Sequence, residues 1–306
     1  MDLKLCIDIG SKFIKLIEGN EKKGKIFIRK IGKIENPFEN FRRITEEDEI
    51  ESFGNFLRDY LKKNDIISKL CLFSVSGDDL IYHYFQLPDL PKEELENSIK
   101  LEAIQILPQP IENYDYDYLT FNLNGKKNIL LTAFPSKKTK IYTDILTKSR
   151  LKPVMMDTDS LSLINSLIYF KKDAFFAILN IGYTISNISI FLKNDFVFLR
   201  DINWGGKIIQ DEKEVDDEKF SGIVEEIDLS LKYFENKTGK KPEKFYITGG
   251  CSIFPWVSEI LEKKTGIQFE IYNPLLYIKE NLIPLELKEE GMFFSIATGL
   301  LVRKIL

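Results

Sequence analysis

A single histidine, His83, and three scattered cysteines, Cys6, Cys71 and Cys251, are all that 306 residues offer for metal or thiol chemistry. No two cysteines stand close enough for a CxxC pair. Zinc coordination is therefore excluded, and the cysteines read as reduced residues of a cytosolic core. His83 lies in the alternating stretch "IYHYF", the setting of a surface or half-buried strand histidine rather than a catalytic one. No GxxxxGK(S/T) loop and no Ser/His/Asp set is present, which excludes a Walker-type phosphate loop and a triad hydrolase. No apolar run approaches the ~20 residues of a spanning helix, so no direct membrane insertion is expected. A strand candidate opens at residue 3, so no signal peptide is expected. Lysine and arginine number 43 against 47 acids, interspersed, for a net charge of −4; this is a solvated surface and not a nucleic-acid face.

What is present is a globular composition, with 44 % hydrophobic and 29 % charged residues. The length suits two domains of about 150 residues each or one large α/β unit. Residues 3–9, 13–18 and 26–34 read as three successive strands, turning at Gly10-Ser11 and across 19–25. A helix is predicted over 47–63, with Ile50, Phe53, Leu57 and Tyr60 on one face, and a buried strand over 70–75. Residues 78–134 read as an inserted unit. Its helix is opened by Pro91, Glu93 and Glu94 and stopped by Pro108 and Pro110, and its strands 114–121 and 129–134 join across Gly125-Lys126. A helix at 136–150, a strand at 153–156 and a helix at 160–170 follow.

A second meander then begins, with strands at 175–180, 185–191 and 196–202 turning at Gly182 and at Lys193-Asn194. After a charged loop at 211–219 come a helix at 222–236, a strand at 244–248, a helix at 255–264, a strand at 268–272 and a final helix at 290–306. The stretch "AILNIGYTISNISIF" (177–191) overlays "LCIDIGSKFIKLIE" (5–18): Asp8 falls on Asn180, Gly10 on Gly182 and Leu16 on Ile188. Meander, helix, strand and helix recur in both halves. That is the trace of a duplicated unit with a cleft between the copies.

Three turns carry the candidate chemistry. In "DIGSKFIK", Gly10 lets the backbone come close to a phosphate, and the N–H groups of Ser11 and Lys12 form an anion nest. The Ser11 hydroxyl and the Lys15 ammonium reach phosphate oxygens, and the Asp8 carboxylate suits a metal-bound water. In "NIGYTIS", Gly182 again permits close approach, and Thr184 and Ser186 offer hydroxyls. In "YITGGCS", Gly249 and Gly250 follow a strand and precede a helix, where a flat or phosphorylated ligand can lie against backbone. Each alone is a common turn; two at matching places in a duplicated chain support each other.

In this order the three turns resemble the phosphate-1, phosphate-2 and adenosine motifs of the actin/Hsp70/sugar-kinase superfamily. The inserted "FQLPDLPKEELENSIKLEAIQILPQPIENYDYDY", together with "SRLKPVMMDTDSLSLINSL", "YNPL" and "FFSIATGLL", resembles the PilM family of type IV pilus assembly proteins over nearly the whole chain. The resemblance implies an actin-like (duplicated RNase H-like) α/β fold. Residues 1–174 plus 291–306 would form the first domain, carrying an inserted subdomain at about 78–135, and residues 175–290 the second. It implies an ATP cleft built from Asp8, Gly10, Ser11, Lys12, Lys15, Asn180, Gly182, Thr184, Gly249, Gly250 and Ser252, with Mg2+ at Asp8. It implies a cytoplasmic protein of the pilus assembly complex, held at the inner face of the membrane by the N-terminal tail of a PilN-like inner-membrane partner. That tail would lie as an extended peptide in a groove of the first half near the insert. Self-association is a further expectation.

Three departures bear on turnover. Asn180 stands where the family opens its phosphate-2 turn with Asp, and a neutral amide cannot act as a base. Phe13 replaces a small hydroxyl residue. The stretch between Gly206 and Phe220 is short for a wall of the adenosine site. The expectation is nucleotide binding with weak or no ATPase activity and no catalytic residue assigned. Two alternatives share the superfamily. An FtsA-like cell-division tether is disfavoured because the sequence ends within the helix bearing Ala297-Thr298-Gly299. A small-molecule kinase is disfavoured by chain length and the missing acid.

Overall fold

Alternation builds the first sheet. In β1 (Lys4–Ile9), Leu5, Ile7 and Ile9 point into one core, while Cys6 and Asp8 point to the opposite face. The computed structural model describes residues 3–38, 41–123, 126–193, 195–209, 217–279 and 283–303. After β1 come β2 (Phe13–Lys22), β3 (Lys25–Glu35), a 3-10 turn at Phe41–Arg43, α1 (Glu47–Lys63) and β4 (Leu70–Val75). The insert follows as β5 (Ile81–Leu87), α2 (Lys92–Ile106), β6 (Tyr114–Leu123) and β7 (Lys126–Pro135). Then come α3 (Ser136–Lys148), β8 (Lys152–Thr158) and α4 (Asp159–Phe170). The second half holds β9 (Phe175–Ile181), β10 (Ser186–Leu192), β11 (Phe196–Ile202), α5 (Ser221–Thr238), β12 (Lys244–Thr248), α6 (Pro255–Thr265) and β13 (Gln268–Ile271), and the chain closes with α7 (Leu285–Glu289) and α8 (Ser295–Val302).

The two large sheets repeat one topology. Their orders are β3-β2-β1-β4-β8 and β11-β10-β9-β12-β13, each an antiparallel meander followed by parallel strands. One face of the first sheet packs on Ile50, Phe53 and Leu57 of α1 and on Tyr142, Ile145 and Leu146 of α3. The equivalent face of the second packs on Ile223, Ile227 and Leu231 of α5 and on Val257 and Leu261 of α6. The inner faces are covered crosswise. Ala297, Leu300 and Leu301 of α8 lie on Cys6, Ile17 and Leu72 of the first sheet. Leu163, Ile164 and Leu167 of α4 lie on Phe176, Ile178 and Leu199 of the second. These two helices therefore stand between the sheets and touch each other.

The insert forms its own sheet, β5-β7-β6. Leu95, Ile99 and Ala103 of α2 cover one face through Ile129, Leu131 and Ala133. The other face reaches the second half. The Tyr84 ring stacks on Phe198, and its hydroxyl accepts the Leu199 N–H at 2.6 Å, which covers part of the β11 edge.

Two sequence expectations need correction. The strand predicted over 13–18 runs on to Lys22, and the chain turns at Lys23-Gly24, both with positive φ. Gly19 is a bulge and not a turn; a Cβ there would stand 2.2 Å from the Phe27 carbonyl oxygen. The final helix predicted over 290–306 is broken: α7 ends at Glu289, a 3-10 turn spans Gly291–Phe294, and only Ser295–Val302 is α-helical. Residues 304–306, most of the charged loop at 211–219, Asn194 and Gly125 lie outside the described residues.

Candidate functional site

The register of the two hairpins sets the site. β1 and β2 place Asp8 opposite Lys15, and the Gly10 N–H donates to the Phe13 carbonyl at 3.0 Å. β9 and β10 place Asn180 opposite Asn187, with Gly182 against Ile185. Asp8 and Asn180 both lie on the inner faces, so they look into the space between the sheets. A cavity of about 80 Å³ lies there. It is lined by Asp8, Gly10, Ser11, Lys12, Lys15, Asn180, Gly182, Thr184, Gly249 and Gly250, which the three-turn reading named together. Ser252 is not on the lining. Its buried hydroxyl donates to the Gly249 carbonyl at 2.7 Å and braces the Gly-Gly turn from behind.

Glycine is required where the turns close on each other. Gly249 has φ +90, and a Cβ on it would stand 2.4 Å from Asn180 Oδ1 and 2.5 Å from the Ile181 carbonyl oxygen. At Gly182 a Cβ would meet the Ile185 carbonyl oxygen at 2.4 Å.

The duplicated pair differs in chemistry between the halves. Asp8 is 3 % exposed and pairs with Lys15 Nζ at 2.8 Å. Burial nevertheless dominates and pushes its carboxyl up to about 6. In the second half Asn180 Nδ2 donates to Asn187 Oδ1 at 2.8 Å, and Asn187 Nδ2 donates to Asp201 Oδ1 at 2.7 Å. The Gly77 N–H, from the end of β4 in the first half, donates to Asp201 Oδ2 at 2.8 Å. This chain accounts for the neutral residue. Asn187 spends its donor on Asp201, so its oxygen needs a donor from position 180, and only the amide supplies one.

Several lining residues had no signal in the sequence: Arg42, Ser76, Asp159, Tyr183 and Phe293. Asn187 was within reach, because the overlay sets it on Lys15. Ser11 Oγ and Thr184 Oγ1 are 2.7 Å apart, so the tips of the two turns touch. Phe13 packs edge-on to Phe293 at 5.6 Å, with Lys33 Nζ 4.2 Å from the Phe293 centroid. Lys12 Nζ stands 5.0 Å from the Tyr183 ring centroid.

Phosphate suits this lining: backbone turns, hydroxyls and three cationic side chains. For a metal, Asp8 and Asp159 are the carboxylates on the wall, and among the described residues no three His, Cys, Asp or Glu side chains form a metal cluster. That fits a Mg2+ held partly by phosphate oxygens and not a dedicated protein cage. His83 is half-buried in the insert with Nε2 3.0 Å from Glu102. The three cysteines are buried, and burial pushes the Cys71 thiol up to about 12.

Asp157, paired with Arg303 Nε at 2.8 Å, and Asp201 are pushed up to about 6 as well, again chiefly by burial. A folded value above the ordinary 3.8 means that the folded chain holds more protons than the unfolded chain between 3.8 and about 6. This contribution to stability is complete below that window, falls as pH rises through it, and is level above it. Urea unfolding of the native chain and of Asp8→Asn at pH 5 and pH 7 checks this. The variant is expected to lose less stability between the two pH values, and equal losses would refute the assignment.

The sequence matches the family model described as type IV pilus assembly protein PilM over residues 6–216 and 212–305. In fold, the chain is similar to one from a PilM–PilN type IV pilus biogenesis complex, with a TM-score of 0.80, 19 % identity and 97 % of each chain covered. It is similar to the ethanolamine utilisation protein EutJ from Carboxydothermus hydrogenoformans, with a TM-score of 0.53 and 9 % identity over 98 % of this chain and 89 % of that one. A protein of unknown function with an actin-like ATPase fold from Bacteroides thetaiotaomicron gives 0.50 and 11 % over 89 % and 91 %. No helix among the described residues is long and apolar enough to cross a membrane. Two sheets of one topology facing a shared cleft are the actin-like two-domain α/β fold, and the chain belongs to the PilM family of type IV pilus assembly proteins.

Proposed function

We propose that this protein is a cytoplasmic actin-like component of a type IV pilus, or related secretion or competence, assembly machinery. It is held at the inner face of the membrane by the N-terminal tail of a PilN-like partner, and it binds a nucleoside triphosphate in the cleft. In this reading residues 1–174 with 291–306 form the first domain, with α8 covering the inner face of its sheet, and 175–290 the second. The observation that carries the nucleotide reading is the meeting of two equivalent glycine turns, one from each sheet, beside a third glycine pair. Gly10, Ser11, Lys12 and Lys15 would hold phosphates from one side and Gly182 and Thr184 from the other, with Gly249 and Gly250 against the nucleoside. Asp8, with Asp159 beside it, would hold the Mg2+ that neutralises phosphate charge. Asn180 donates a hydrogen bond and takes no proton, so hydrolysis is weak or absent.

Calorimetry with Mg2+-ATP on the whole chain is expected to give saturable binding that Asp8→Ala weakens, while phosphate release stays near background. No heat from the native protein would remove the nucleotide reading. Pulldown with the cytoplasmic tail of the pilus membrane partner tests the assembly role separately. Failure of the folded protein to retain that tail would remove it.

A further inference from the structure

We propose that Arg42 recognises the terminal phosphate of the nucleoside triphosphate; this rests on the nucleotide reading above. Arg42 sits on the 3-10 turn between β3 and α1. Its backbone is pinned there: the neighbouring Phe41 is buried in the first core, and Lys138 Nζ donates to the Arg42 carbonyl at 3.2 Å. The side chain reaches the seam. Nη1 donates to Ser11 Oγ at 3.0 Å and to Thr184 Oγ1 at 3.2 Å, and Nη2 donates to Ser76 Oγ at 3.1 Å. One guanidinium thus ties the tips of both phosphate turns and the end of β4.

The partners are chemically weak for such a group. All three acceptors are neutral hydroxyls, and among the described residues no carboxylate lies within ion-pair distance of Arg42. Its Nε is buried and makes no hydrogen bond there either. A guanidinium is charged at every relevant pH, and its planar fork matches the oxygens of a phosphate. The glycine pair that suits the nucleoside touches Asn180, Ile181 and Phe293 and shares no hydrogen-bond partner with Arg42. Arg42 therefore serves the other end of a ligand that begins at Gly249-Gly250.

A phosphate that reaches Arg42 takes the place of the Ser11 and Thr184 hydroxyls on its Nη1. Charged phosphate oxygens take the guanidinium from neutral hydroxyls, because both partners are then charged and the planar fork can bind two oxygens at once. A diphosphate ends too early to collect this interaction.

The test is calorimetry with Mg2+-ATP and Mg2+-ADP on the native full chain, Arg42→Ala and Arg42→Lys. Circular dichroism confirms that each variant is folded. Arg42→Ala is expected to bind ATP at least ten-fold more weakly while ADP changes less than two-fold. Arg42→Lys is expected to recover only part of the loss, since a point charge lacks the fork; it also carries the test alone should the alanine variant fail to fold. Equal weakening of ATP and ADP, or none, overturns the role of Arg42 and leaves nucleotide binding intact. A native chain that binds neither nucleotide overturns both.

Discussion

Gly299→Ala is expected to lower the unfolding free energy by about 3 kcal/mol, the upper end of ordinary overpacking. Every residue of α8 is buried, and Gly299 faces α4. A Cβ there would stand 1.8 Å from the Ser162 carbonyl oxygen and 2.5 Å from its carbon. These are backbone atoms inside a helix, so no side chain can swing aside. The clash is relieved only if α4 and α8 separate. Since α8 rests on the first sheet and α4 on the second, that separation also moves the halves apart. Asp159 begins α4, and Ser295 and Ile296 begin α8; all three line the cleft, so its geometry changes with the crossing. Urea unfolding measures the loss. Gly222→Ala is the control, because its Cβ would meet only Trp204 Cδ1 at 3.6 Å. On α5 that change is expected to be neutral or to stabilise by up to about 1 kcal/mol. A Gly299→Ala midpoint equal to that of the native chain would show that the helices slide apart freely.

Asn180→Asp is expected to cost about 2–3 kcal/mol at pH 7, the scale of a buried polar group left facing a wrong partner. The new carboxylate oxygen would face Asn187 Oδ1, acceptor against acceptor. Turning the Asn187 amide over would move the same conflict to Asp201. The first half shows how such a carboxylate is accommodated, since the position opposite Asp8 is Lys15. The double variant Asn180→Asp with Asn187→Lys is therefore expected to recover more than half of the loss, because the lysine can serve the introduced carboxylate and Asp201 together. A double-mutant cycle read by urea unfolding gives the coupling. Strict additivity, or an unperturbed single variant, would refute the hydrogen-bond explanation of Asn180.

Much of this arrangement was legible in the residues. Period-two alternation in 5–9 and 177–181 marked strands, and the overlay aligned Asp8 with Asn180 and Gly10 with Gly182 before any pairing was known. The order of the two meanders foretold two sheets of one topology, and Pro91 and Pro108 bracketed α2. Boundaries failed where glycine served packing and not turning, at Gly19 and again at Gly291, where a Cβ would meet Asn273 Oδ1 at 1.9 Å.

Local pattern by itself determined most of the strands and helices, which face of each is apolar, and that the chain repeats itself. Those choices depend on neighbours a few residues away. Only the tertiary structure decided that α4 and α8 cross over to opposite sheets, that the insert covers β11, that Ser252 braces the turn from behind, and that Arg42 lies at the seam. Arg42 and Thr184 are 142 residues apart, and Ser11 and Thr184 are 173 apart. No period in a sequence encodes such a meeting. It follows from how two sheets stack around two helices, which brings together hydroxyls and a guanidinium that locally look like ordinary surface residues.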